Sequence, residues 1–297
     1  MSTIRRRSLR TKRCRRSSRH VPSSRSSLLH STHDQPARFH LLQSRRGPGR
    51  HSAGTLEPMP VFERGDTRIR WWEAGEGFPV LLFAPGGMRS AADIWGTSPF
   101  DPREALSGSF RVISMDQRNA GGSSAPVSAA DGWHSYTEDH LALLDHLGIE
   151  RCHLMGGCIG SSYCLGVLQV DAARVSAAVL QNPIGHHENQ DLFYAMFDTW
   201  ADALLEHRDD VKPEALPPFR ERMYGGDFTF NVDRDFVAGI ETPLLILAGD
   251  DAYHPRPIAE EIAALAPNNE MILDWKSEQA ATAAAAEVRA FLERHTP

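Results

Sequence analysis

The chain has 297 residues, enough to bury a sizeable core in one or two domains, and carries a formal charge of −6. That figure conceals a split: residues 1–58 hold 13 Arg, one Lys and two acids, a net +12, which leaves residues 59–297 at −18. An acidic body argues against nucleic acid as a partner of the folded part, and no run of about 18 apolar residues is present to span a membrane.

Residues 1–58 run from Arg5-Arg6-Arg7 to Arg45-Arg46-Gly47-Pro48-Gly49-Arg50, rich in Arg and Ser and poor in apolar side chains. Such a segment cannot bury enough surface to offset its ordering entropy, and it is expected to be disordered and dispensable for folding. Its composition fits an organelle transit peptide, a basic arm for anionic partners, or an extension upstream of a start at Met59, where Met59-Pro60-Val61 opens the ordered pattern. The paired arginines are not followed by an apolar stretch, which argues against a secretory signal. Cys14, Cys152, Cys158 and Cys164 show no zinc or disulfide spacing, so a reducing, cytoplasmic setting is expected.

From Met59 the pattern turns strand-like and then alternates. Residues 61–64 and 67–73 flank Gly65-Asp66 and read as a hairpin. Residues 79–83, Pro79-Val80-Leu81-Leu82-Phe83, form a short, wholly apolar strand of the kind covered on both faces. Residues 111–115 give the next strand. A helix is expected over 136–147, opened by a Ser135/Glu138 capping box, faced by Leu141, Leu144 and Leu147, and ended by Gly148. A strand leading into Gly156 follows, then strands at 176–181 and 244–248. Ile258, Ile262 and Leu265 mark a helix with Pro257 in its first turn, ahead of a last strand at 270–275 and a closing helix at 280–294. Strands alternating with helices imply a mainly parallel sheet covered on both faces.

The stretch Leu154-Met155-Gly156-Gly157-Cys158-Ile159-Gly160-Ser161-Ser162 carries the most chemistry. A strand that turns abruptly into a helix around Gly-x-Cys-x-Gly is the pattern of a nucleophile elbow, where side chains at Gly156 or Gly160 would clash. The turn would hold the Cys158 sulfur above the sheet at a helix N-terminus, whose positive end favours thiolate over thiol. A glycine-rich turn around a buried, inert cysteine would leave the same five-residue pattern.

Three further motifs keep it company. Ala84-Pro85-Gly86-Gly87-Met88 follows the first core strand. Asp116-Gln117-Arg118-Asn119-Ala120-Gly121-Gly122-Ser123 follows the next. Gly249-Asp250-Asp251-Ala252-Tyr253-His254-Pro255 follows the strand at 244–248. In this order the four motifs resemble those of the α/β-hydrolase fold, over residues 59–297. The resemblance implies an α/β architecture with a small helical lid insert and neither cofactor nor metal. It also implies an oxyanion hole built from the backbone N–H groups of Gly87 and Ile159. Pro85 stands where the family often has His. Arg118 is expected to act as a structural clamp. Cysteine at the elbow is similar to the dienelactone hydrolases.

Within that resemblance the acid is ambiguous by one residue. Counted from Gly249 its position falls on Ala252; counted back from Pro255 it falls on Asp251. Asp251 is preferred because the group must be a carboxylate, with Asp250 as the alternative. The family places its histidine in the loop after the last strand, but here Asp274-Trp275-Lys276-Ser277-Glu278-Gln279 contains none. His254 shares the Asp251 loop and is the candidate base, against the reading of a histidine bonded only within its own loop. His295 is expected to be solvent-exposed, and His134, His186 and His187 have no motif behind them. A thiol at a helix N-terminus can ionise without a base, yet leaving-group protonation and deacylation still require an acid and a base.

The insert at about 186–236 is where this fold carries its lid. Phe193, Phe197 and Trp200, at i, i+4 and i+7, form an apolar stripe that either packs onto the body or roofs an apolar pocket. Residues 218–224 lead to Gly225-Gly226, a hinge candidate. The expectation is a soluble monomer or homodimer acting on a small-molecule substrate with an apolar part, hydrolysing an ester-, lactone- or thioester-like bond through Cys158. The alternatives are a catalytically degenerate ligand-binding relative and a non-hydrolytic lyase or acyltransferase.

Overall fold

The computed structural model describes residues 59–297, and the expectations for residues 1–58 lie outside the described residues. Strands β1 (Val61–Arg64) and β2 (Thr67–Ala74) form the hairpin, turning through Gly65 at φ 58°. In chain order follow β3 (Pro79–Phe83), α1 (Pro102–Leu106), β4 (Arg111–Met115), α2 (Trp133–His146), β5 (Cys152–Gly157), α3 (Ile159–Asp171) and β6 (Val175–Gln181). Three helices come next: α4 (Gln190–Leu205), α5 (Leu216–Tyr224) and α6 (Arg234–Ala238). The chain closes with β7 (Leu244–Leu247), α7 (Arg256–Leu265), β8 (Asn269–Ile272) and α8 (Glu278–Arg294).

The strands lie in the order β1-β2-β4-β3-β5-β6-β7-β8. The β1–β2 and β2–β4 pairs are antiparallel and the rest are parallel. Successive side chains on a strand point to opposite faces. Leu81, Phe83, Leu154, Leu180 and Ile246 therefore join one core with Leu143 of α2, Val167 of α3 and Ile262 of α7. Val80, Leu82, Met155, Val179 and Leu247 join another with Leu106 of α1 and Val288 and Phe291 of α8. Coverage on both faces is what lets residues 79–83 be apolar without alternation. Among the described residues no helix is long and apolar enough to cross a membrane.

Three boundaries differ from the sequence expectation by more than one residue. Helix α2 begins at Trp133 rather than at 136, and no side chain caps it. The Ser135/Glu138 capping box is absent because Ser135 lies inside the first turn, where its hydroxyl donates to Asp131 Oδ1 at 2.9 Å. Strand β8 stops at Ile272, not 275: Trp275 leaves the sheet edge, buries its indole and donates Nε1–H to the Ala248 carbonyl at 2.8 Å. Helix α8 starts at Glu278, two residues before the expected 280, because Ser277 accepts from the Ala280 N–H as its N-cap.

The loop after β4 is a scaffold. Asp116 accepts from Arg70 Nε at 2.6 Å, the Ala92 N–H at 2.9 Å and the Gly122 N–H at 2.7 Å. Arg118 is buried and donates Nε and Nη2 to Asp139 at 2.8 and 3.1 Å, and Nη1 to Asp131 at 3.1 Å. These bonds clamp the loop to α2. In the insert, Phe193, Phe197 and Trp200 all lie buried on α4, with Phe197 and Trp200 meeting Phe219 of α5 edge-on at 5.3 and 6.0 Å.

Candidate active site

Strand β5 ends at Gly157 and α3 starts at Ile159, which leaves Cys158 alone at the junction with φ 56° and ψ −119°. A side chain rarely adopts positive φ, so the surroundings must over-determine it. The Cys158 N–H donates to the Gln181 carbonyl at 2.8 Å, and the Cys158 carbonyl accepts from the Ser161 N–H at 3.0 Å. Ser161 Oγ donates to the carbonyls of Gly156 at 2.9 Å and Gln181 at 3.1 Å. A Cβ at Gly156 would collide with the Gly160 carbonyl, and one at Gly160 with the Phe83 carbonyl, so helix α3 can approach β3 and β5 only with glycine at both positions. Gly160→Ala is expected to destabilise the protein by about 1–3 kcal/mol, because backbone rather than a movable side chain stands in the way; a urea melt against the wild type measures it.

The Cys158 thiol is half-buried at the N-terminal end of α3. Enclosure alone would raise its pKa. The His254 charge and hydrogen bond, with the N–H groups of Ile159 and Gly86, outweigh that and hold the thiol below its ordinary value. Among the described residues neither the Gly87 N–H nor the Ile159 N–H donates to a backbone carbonyl. Gly87 is buried at φ 57° beneath Met196 of α4, where a Cβ would strike the Met196 sulfur.

His254 and Asp251 meet within one loop. His254 Nδ1 lies 2.8 Å from Asp251 Oδ1 and 2.9 Å from Oδ2, a bidentate reach that orients the ring. The same carboxylate accepts from the N–H groups of Tyr253 at 3.0 Å and His254 at 3.1 Å. Gly249 lets the loop fold back on itself, since a Cβ there would collide with the His254 main chain. His254 Nε2 is buried, and among the described residues its one neighbour for a hydrogen bond is the Cys158 sulfur. Burial pushes the imidazole pKa down, but Cys158 and Asp251 more than reverse this and raise it to about 10. The hydrogen bond from His254 brings Asp251 down to about 2 against the opposing effect of burial.

Asp250 points elsewhere and pairs with Lys276, whose Nζ also stands 3.8 Å from Asp251 Oδ2. Lys276 occupies the loop where the resemblance led one to look for histidine. His134, His186 and His187 are exposed, and His186 Nδ1 faces Asp227 at 3.5 Å. His295 is half-buried rather than exposed, because its ring packs on Phe291 at 4.8 Å. Two features escaped the sequence reading. The Gly86 N–H, one residue before the expected donor, is one of the groups that lower the thiol pKa. His140 is buried with Nε2 2.7 Å from Gln117 Oε1, and burial beside Arg118 lowers its pKa to about 3. Its place on the inner face of α2 was the available signal.

Comparison with known proteins gives one consistent picture. Residues 79–231 match the alpha/beta hydrolase fold family. The "Putative carbamate hydrolase RutD" of Pseudomonas savastanoi pv. phaseolicola is 26% identical over 65% of this chain and 84% of its own. The 2-hydroxymuconate semialdehyde hydrolase of Pseudomonas putida is 32% identical over 40% of this chain and 41% of its own. Among solved structures, the enol-lactonase of Burkholderia xenovorans LB400 superposes with a TM-score of 0.58 at 22% identity, covering 79% of this chain and 100% of that one. With a matching family profile over half its length and the same sheet, the chain belongs to the α/β-hydrolase fold family.

Proposed function

We propose that this protein hydrolyses a carboxylic ester-, lactone- or thioester-like bond through Cys158. The observation that carries the reading is the line Asp251–His254–Cys158: one imidazole nitrogen is held by a carboxylate, and the other is buried beside the sulfur without a competing partner. Such a relay serves a thiolate nucleophile. The sulfur attacks the acyl carbon, and the carbonyl electron pair moves to oxygen. The N–H groups of Gly87 and Ile159, with Gly86 beside them, are the donors for that oxyanion. The intermediate collapses, the leaving oxygen or sulfur takes the proton from His254 Nε2, and an acyl-cysteine remains. His254 then removes a proton from water, whose oxygen attacks the acyl carbon and expels the thiolate with the free acid. Asp251 stays ionised throughout and steadies the imidazolium.

The names of the relatives support hydrolysis and widen the panel worth testing to carbamates. Short-acyl p-nitrophenyl esters, thioesters, enol lactones and carbamates should be offered to the wild type beside Cys158→Ala. Turnover by the wild type and none by the variant is the expected result. Wild-type inactivity on every class would favour ligand binding instead.

The thiol itself gives a second, substrate-free check. Cys152 is pushed up to about 12 by burial, and burial places Cys164 well above the ordinary thiol range. At pH 7, iodoacetamide should therefore label Cys158 at least about tenfold faster than either, since the thiolate is the reactive form. Peptide mass spectrometry over a time course reads the three rates. Equal rates would return Cys158 to the inert class.

A further inference from the structure

Three tyrosine hydroxyls next to this site lack partners. Tyr136 on α2, Tyr163 on α3 and Tyr224 at the end of α5 are each no more than 1% exposed. None of their hydroxyls has a hydrogen-bond partner within the described residues. Buried hydroxyls are normally paired, so three orphans in one neighbourhood require a cause. Their rings form a single array. Tyr136 stacks on Tyr163 with centroids 5.0 Å apart and planes 22° apart. Trp133 bridges Tyr163 at 5.7 Å and Tyr224 at 6.1 Å, with its own Nε1–H already given to the Met223 carbonyl at 2.8 Å. Tyr163 sits in the helix that Cys158 opens, and the sulfur's charge reaches the hydroxyls of both Tyr163 and Tyr224.

The charge around the array decides what it can hold. Burial keeps all three phenols protonated, so each offers an O–H donor. The guanidinium of Arg118 lies 5.7 Å over the Tyr136 ring, but Asp139 and Asp131 take its donors. Asp139 also accepts from Arg64 at 2.8 Å. Two guanidinium groups face Asp139, Asp131 and, at 3.9 Å from Arg64, Glu138, so no net positive charge remains to offset an entering anion. A carboxylate would be desolvated there without a counter-ion, whereas a neutral carbonyl oxygen needs only O–H donors.

We propose that Tyr136, Tyr163 and Tyr224 form a recognition subsite for a neutral carbonyl oxygen in the acyl part of the substrate, distinct from the carbonyl attacked by Cys158. The inference rests on the hydrolase reading and narrows it to oxo-acyl substrates. It would also explain why the aromatic array spans α2, α3 and the α5 end of the insert: a bound acyl chain would touch all three.

The test compares p-nitrophenyl 4-oxopentanoate and 5-oxohexanoate with their oxygen-free counterparts, and with the succinate monoester as the anionic arm. For one of the two oxo esters, wild-type kcat/KM should exceed that of its counterpart by about tenfold or more. In Tyr163→Phe/Tyr224→Phe that ratio should fall by about tenfold, with the melting temperature recorded alongside. Calorimetry of Cys158→Ala with methyl 4-oxopentanoate and methyl 5-oxohexanoate against their oxygen-free methyl esters reads the same preference without turnover. A preference that survives there while no ester is hydrolysed would overturn the nucleophile reading and leave the subsite standing. Absence of any oxo preference in the wild type and in Cys158→Ala, an unchanged ratio in the double variant, or tighter use of the succinate monoester overturns the subsite. If the double variant does not fold, the wild-type and Cys158→Ala preferences decide alone.

Discussion

On the proposed mechanism, Cys158→Ala is expected to lower kcat by at least about a thousandfold on any ester the wild type hydrolyses, because the covalent route goes with the sulfur. No neighbour can take over. Ser161 Oγ is committed to the Gly156 and Gln181 carbonyls, and Ser162 Oγ donates to the Thr229 carbonyl at 3.3 Å. Alanine is smaller than cysteine and the position is only half-buried, so the fold should survive. Stopped-flow assays give the rate. Mass spectrometry of acid-quenched wild type should find one acyl group on the peptide carrying Cys158. Turnover retained in the variant would move the nucleophile to another residue.

His254→Ala should cost about a hundredfold or more in kcat, the usual contribution of a positioned acid and base. It should also change the pH profile, and the sign follows from the two groups. Cys158 is depressed, so thiolate accumulates below the ordinary thiol range; His254 is raised to about 10, so the imidazolium persists through neutral pH. Wild-type activity should climb as pH passes the lowered Cys158 value and decline as it passes about 10. Removing the imidazolium takes away the charge that lowers the thiol, so the onset of alkylation by iodoacetamide should move to higher pH in His254→Ala. The same linkage acts on stability. A folded pKa raised above 6.5 contributes fully below that value and is lost as pH rises toward about 10. A fully active His254→Ala protein with an unmoved alkylation profile would sink the assignment.

Much of the fold was legible because local chemistry and global architecture agree at those positions. Residues 79–83 and 111–115 are strands at the bounds read from the sequence, since strands buried on both faces must be short and apolar. The abrupt strand-to-helix turn at 156–160 was legible because only glycine fits at 156 and 160. Helix starts were not: Ser135 looks like a cap but spends its hydroxyl on Asp131, a tertiary choice invisible in a four-residue pattern. The end of β8 was misread for a related reason, as Trp275 prolongs the apolar run yet serves the neighbouring loop. At the site, the proximity of His254 to Asp251 is local in sequence and could be anticipated. The partnership of Lys276 with Asp250, and the tyrosine array, join segments far apart in the chain and left no local trace.

The loop between β7 and α7 holds both the carboxylate and the imidazole, three positions apart. When two such groups come from separate loops, their spacing depends on how adjacent strands are aligned, and any slippage at the sheet margin misaims the proton. Here a short covalent tether sets the spacing. Strand β8, four residues long at the sheet edge with Met271 37% exposed, can fray without separating the pair. The heptapeptide from Gly249 to Pro255 thus carries the spacing of the pair within itself, as a cassette that could be moved as one piece into another scaffold.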